Sequence, residues 1–224
     1  VLIWFLAFAA VLWSAAGRAR AVALGWSAWA LCMIGTLVLI VAPFSGEGHP
    51  LMNNYVPVLR QNTFYVGLAL MAVGFAASAI RAIATVPFAT APSDGAGALS
   101  TGMFLAAAVA LGSLAAFAWT GWAMPPGIEG QAYFEMLFWG SGHVLQFAHA
   151  LLVCVAWFCL ADAGGGRIPL SPRFASSLFV LCALPAFAAP VLYTAHPVAS
   201  AGHVIGFTEL MTYGHLTMLP LGAA

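Results

Sequence analysis

Long apolar runs alternate along this chain with short connections that hold glycine, proline and most of the charge. Each run is close to the ~20 residues a helix needs to cross a bilayer. Seven spans follow: 1–16, 22–44, 63–87, 99–124, 133–162, 174–194 and 203–224. Breakers stand where breakers belong: Gly17, the Ser45-Gly46 and Gly48 cluster, Pro92 with Gly95, Pro125-Pro126-Gly127, Gly164-Gly165-Gly166, Pro172, and Pro197 with Gly202. The pattern predicts an all-α, polytopic transmembrane helix bundle of about seven spans, one domain over residues 1–224 with no internal repeat. Val1 and Ala224 both adjoin apolar runs, so the chain is expected to be part of a longer protein.

Composition sharpens the class. Of 224 residues, 63% are hydrophobic and 5% charged, whereas about a quarter of a soluble domain is charged. All six basic residues are arginine and the net charge is zero, so there is no polybasic face for nucleic acid. The expected surroundings are membrane lipid. Cys32, Cys154, Cys159 and Cys182 lie in apolar segments without metal-finger spacing and are expected to be small core residues.

The arginines orient the bundle. Arg18 and Arg20 lie in the first connection, Arg81 near the third, and Arg167 with Arg173 in the fifth; the even-numbered connections hold only Arg60. By the positive-inside rule the odd connections are cytoplasmic, as in a multi-pass protein of a bacterial inner membrane. The fifth span then runs inward, and His143 lies on the order of 15 Å below its outer end. His196 is on the same side.

Within the spans the polar groups need explaining, because an unpaired polar group in hydrocarbon is costly. Trp139, His143, Gln146, Phe147, Ala150 and Cys154 follow three- and four-residue steps and share a helix face. That face serves either as a packing seam with one hydrogen-bonded histidine or as a rigid mount for an imidazole metal ligand. His196 stands at the outer end of the sixth span and His203 at the start of the seventh. Glu209, inside the seventh span, must be protonated, paired or on a proton path. Glu135 suits the positive end of its helix dipole. The segment from Gly48 to Pro57 interleaves polar and apolar residues and is expected to be ordered, capping the bundle. Trp119, Trp122 and Trp157 fit an interfacial aromatic belt.

Leu137-Phe138-Trp139-Gly140-Ser141-Gly142-His143 resembles the L-F-W-x-x-G-H segment of the catalytic subunit (subunit I) of heme-copper oxidases, a superfamily that includes the membrane nitric oxide reductases. The resemblance is specific over about ten residues. It implies that His143 binds copper or non-heme iron facing a heme, and that the chain corresponds to helices two to eight of a twelve-helix subunit. Most heme ligands would then lie elsewhere. Some fifty residues on, Ala195-His196 matches the family's metal-binding pair, with Pro197 in place of the second histidine. The implied ligands are His143 and His196, with Gln146 or His203 completing the set. Trp139 would pack beside the cofactor and Glu209 would be a proton donor. Phe147 replaces a tyrosine found in many oxidases. The implied activity is a respiratory-chain oxidoreductase in which electrons from a cytochrome c-type or quinol donor reduce oxygen or nitric oxide, with accessory subunits. Two rivals remain: a proton-coupled transporter or non-catalytic scaffold on the same bundle, hinted at by Pro185 and Pro190, and a quinone-linked cytochrome using His149 and His215.

Overall fold

A computed structural model describes residues 19–86, 88, 95–165 and 170–223. The first expected span, Arg18, Asp94 and Arg167 lie outside the described residues. Helix α1 (Ala19–Val41) continues as a 3-10 turn over Ala42–Ser45. A two-stranded hairpin follows, β1 (Pro50–Leu51) against β2 (Val58–Leu59), antiparallel with Pro50 opposite Leu59. Then come α2 (Asn62–Thr85), α3 (Gly95–Ala123) and α4 (Gly130–Ala163). The sixth expected span is broken into α5 (Pro172–Ala183), a 3-10 segment Leu184–Ala188 and α6 (Ala189–Ala195). The seventh is likewise broken into α7 (Ala201–Gly214), a 3-10 turn His215–Met218 and α8 (Leu219–Gly222).

Among the described residues, five stretches are long and apolar enough to cross a membrane, the broken α5–α6 rod included. The protein is therefore a multi-pass helical bundle. The interruptions have local causes. Pro185 and Pro190 cannot donate to the helix ladder, and Pro220 acts likewise after α7. Caps set two starts: Ser171 Oγ accepts from the Phe174 amide at 3.3 Å, and Ser200 Oγ from the His203 amide at 3.2 Å.

Close helix approach depends on small residues, since lipid offers no hydrophobic gain for bringing apolar helices together. At the α1–α2 seam a Cβ on Gly74 would fall 2.8 Å from the Ala28 carbonyl oxygen and 2.9 Å from the Cys32 amide. Gly35 and Gly67 face each other farther along the same seam. Arg81 of α2, 2% exposed, lays its guanidinium against Gly25 of α1. The main core lies between α3, α4, α5 and α7, with Met103, Phe147, Leu151, Phe179 and Phe207 fully enclosed. Cys32, Cys154 and Cys182 are buried free thiols, and Cys159 is exposed.

Two of the three belt tryptophans, Trp122 and Trp157, are exposed. Trp119 is half-buried. Its ring stacks on Tyr193 at 5.0 Å, because α6 presents a flat aromatic face to α3 at that level.

Candidate functional site

His143 sits in the N-terminal half of α4 and is 3% exposed. Its Nδ1 lies 2.7 Å from the Trp139 carbonyl oxygen, one turn earlier, and 2.8 Å from the Tyr55 hydroxyl. A carbonyl oxygen only accepts, so a lone pair on Nδ1 at that distance would meet another lone pair. The proton is therefore on Nδ1, shared between Trp139 and Tyr55, and Nε2 keeps the lone pair. Fixing one ring nitrogen to leave the other as donor is the arrangement that orients metal-bound histidines.

Tyr55 comes from the hairpin, 88 residues away in sequence. Its ring lies flat over Gly142, where a Cβ would stand 2.5 Å from two ring carbons. Only glycine leaves room for that seat. Gln146 Nε2 donates to the Tyr55 oxygen at 3.2 Å, so the phenol accepts from two α4 side chains. The hairpin is latched to α4 by the residues just before this tyrosine. The Asn54 amide donates to Glu135 Oε2 at 3.0 Å and the Asn54 side chain to Oε1, while Gln131 Nε2 donates to the Met52 carbonyl at 2.6 Å. The cap expected from sequence is thus present, and Glu135 anchors it as well as meeting the helix dipole.

Burial pushes the Tyr55 phenol up to about 12, with the Glu135 carboxylate adding to the rise and the Gln146 hydrogen bond opposing it. The neutral phenol is therefore the form present at any physiological pH. Folding stability from this group is complete below pH 10 and is lost as pH rises from there through about 12. In tyrosinate absorbance titrations, the phenol missing from Tyr55→Phe should be one that ionises near 12; a missing step at 10 would mean the ring is not seated.

Opposite α4, His203 of α7 is 0% exposed, and neither of its ring nitrogens has a hydrogen-bond partner among the described residues. Two unsatisfied buried nitrogens on one side chain call for an explanation, because each forfeits its hydration without replacement. His203 packs edge-on to Phe207 at 4.9 Å and to Tyr193 at 5.2 Å. Phe207 in turn reaches His143, with ring centroids 6.3 Å apart. His196 is half-buried, its Nδ1 seated against Gly202, where a Cβ would fall 2.5 Å away. Gly202 immediately precedes His203, so His196 stands at the start of the same helix turn. The three histidines therefore gather at the hairpin end of the bundle around a wall of aromatic rings. Among the described residues no three His, Cys, Asp or Glu side chains stand close enough to hold one ion, and Phe207 touches both His143 and His203.

The remaining expected residues divide. Trp139 is tied to α7 by Nε1 donating to the Val204 carbonyl at 3.1 Å, and its ring lies 4.8 Å from that of His143. Gln146 serves Tyr55. Glu209 is exposed, two residues beyond Phe207 on a different helix face, and is not brought to the histidines. His149 and His215 line a separate cleft of about 670 Å³, together with Gln146, Cys154 and Trp157. His215 stacks on Phe147 at 4.3 Å there. Tyr55 and Tyr193 were not singled out as site residues from sequence. The one available signal for Tyr55 was its place in a segment expected to be ordered.

No family model and no solved structure matches the chain. It is 26% identical over 135 residues to the uncharacterized protein RP382 of Rickettsia prowazekii, covering 58% of this chain and 26% of that one. It is 27% identical over 194 residues to an uncharacterized protein of Aquifex aeolicus, covering 84% of this chain and 48% of that one. The chain thus spans about half, or less, of the length of these curated relatives.

Proposed function

We propose that this chain belongs to the catalytic subunit of a membrane oxidoreductase of the heme-copper oxidase or nitric oxide reductase kind, with His143, His203 and His196 presenting imidazoles to a copper or non-heme iron ion. The observation that carries this reading is His203, enclosed with both nitrogens unpartnered beside a His143 whose Nε2 lone pair is fixed. The donor chemistry fits such an ion: imidazole is the usual nitrogen ligand for copper and iron. The spacing does not enclose a common point in this conformation. When bound, heme and partner metal would supply the redox chemistry for reducing oxygen or nitric oxide. The chain's own part is to hold imidazoles in one tautomer, exclude water with Tyr193 and Phe207, and keep α7 against α4 through Trp139. Heme, a cytochrome c-type or quinol donor, accessory subunits and placement in a bacterial inner membrane with odd-numbered connections cytoplasmic belong to the same proposal. Glu209 is proposed as a proton donor only at a distance, given its exposed position.

Metal analysis and optical spectra of the full-length protein test it. The expected result is a heme spectrum together with a non-heme metal that is lost in His143→Ala. Absence of heme, or a spectrum and metal content unchanged in that variant, would sink the reading.

A proton-coupled transporter is the second reading, favoured by one observation. Two successive helical rods are interrupted by 3-10 segments, at Leu184–Ala188 and His215–Met218, and broken helices are frequent at transporter binding sites. Solute-driven proton uptake into vesicles, without bound heme, would favour it.

A further inference from the structure

The hairpin reaches from the α1–α2 connection across to α4 and puts one hydroxyl on the imidazole that the proposed chemistry needs. We infer that Tyr55 is a positioning residue for His143: its oxygen shares the Nδ1 proton with the Trp139 carbonyl and so keeps Nε2 as the lone-pair nitrogen, and the Glu135 latch keeps the tyrosine there. Its role in catalysis rests on the metal reading above, whereas its effect on the imidazole does not.

Five observations support the assignment. The hydroxyl is 2.8 Å from Nδ1, within ordinary hydrogen-bond range. Gln146 donates to the same oxygen at 3.2 Å, which occupies one lone pair and leaves the other for the imidazole N–H. Gly142 provides a seat that any side chain would fill, so the ring is placed by α4 itself. The Asn54–Glu135 pair and the Gln131–Met52 bond fix the hairpin next to Tyr55. A tyrosine that only covered the bundle would need none of the two polar contacts. The ring packs edge-on to both His143, at 5.4 Å, and Trp139, at 6.3 Å, so removing the hydroxyl alone leaves its packing in place.

The test is the tautomer of His143, read from imidazole nitrogen-15 chemical shifts of the full-length protein in lipid nanodiscs after removal of non-heme metal by a chelator. The His143 signal is assigned by its loss in His143→Gln. Wild type should show the Nδ1–H form in clear excess. Tyr55→Phe should raise the Nε2–H fraction about 2- to 10-fold, the worth of one hydrogen bond. Glu135→Ala, which frees the hairpin from a distance, should move the ratio in the same direction by less. A ratio unchanged in Tyr55→Phe overturns the inference. So does an equal shift at His149 and His215, which would mark a general loosening. Metal content measured on the same preparations before the chelator is added separates the two ideas. A protein without metal whose His143 ratio still depends on Tyr55 upholds the positioning role and defeats the metal reading; bound metal with a Tyr55-independent ratio does the reverse.

Discussion

His203→Leu is expected to strip the full-length protein of its non-heme metal and to lower its thermal unfolding midpoint. The sign is the informative part. If a ligand occupies His203, its loss removes binding free energy from the folded state, about 4 kcal/mol where ligand stands at 1,000 times its dissociation constant. If His203 is a buried histidine with nothing bound, leucine of similar volume removes two orphaned nitrogens from an enclosed site, and stability rises by about 1–3 kcal/mol. The two cases move the midpoint in opposite directions. Metal analysis and thermal unfolding of wild type and variant, in the same detergent, decide between them. A higher midpoint with unchanged metal content would remove His203 from the site.

Gly74→Val is expected to be the most damaging substitution on the α1–α2 seam. The added Cβ would meet Cys32 Sγ at 2.7 Å, the Ala28 carbonyl oxygen at 2.8 Å and the Cys32 amide at 2.9 Å. Two of these three are backbone atoms, which no rotamer change can move, so the helices themselves must separate. Overpacking of this kind costs about 1–3 kcal/mol or more, and in lipid no hydrophobic gain draws the helices back together. A fall of roughly 2–12 °C in the unfolding midpoint follows, at about 2–4 °C per kcal/mol for a chain of this size. Gly112→Val is the control: no atom of the described residues lies within 4 Å of its Cβ position, and its midpoint should stay near that of wild type. Equal midpoints for the two variants would show that the seam is looser than described.

Much of the architecture was legible in the hydropathy pattern, for a simple reason. A bilayer demands internally satisfied helices of fixed length, so the spans at 22–44, 63–87, 99–124 and 133–162 can be drawn without knowing what packs on what. Those spans match α1 through α4 to within a few residues. The sixth and seventh were less legible. Proline announces a break, but whether the chain kinks, ends or winds through a 3-10 turn depends on neighbours that offer or withhold hydrogen bonds. Depth in a span likewise does not say which neighbour a ring will stack upon, as with Trp119 on Tyr193.

The site was legible in its local half. Helical spacing places His143 four residues after Trp139, and the Nδ1 contact with that carbonyl lies within a single turn. Hydropathy together with the arginines also gave the class of protein and a proposed orientation, because both follow from composition along the sequence alone. Tertiary structure decided the rest. It set Tyr55 against His143 across 88 residues, made Glu135 the hairpin's anchor as well as a dipole partner, and enclosed His203 without hydrogen-bond partners among the described residues while leaving Glu209 exposed. These depend on which helix faces meet, and in a chain apolar on nearly every side no periodicity in the sequence marks one face as inward.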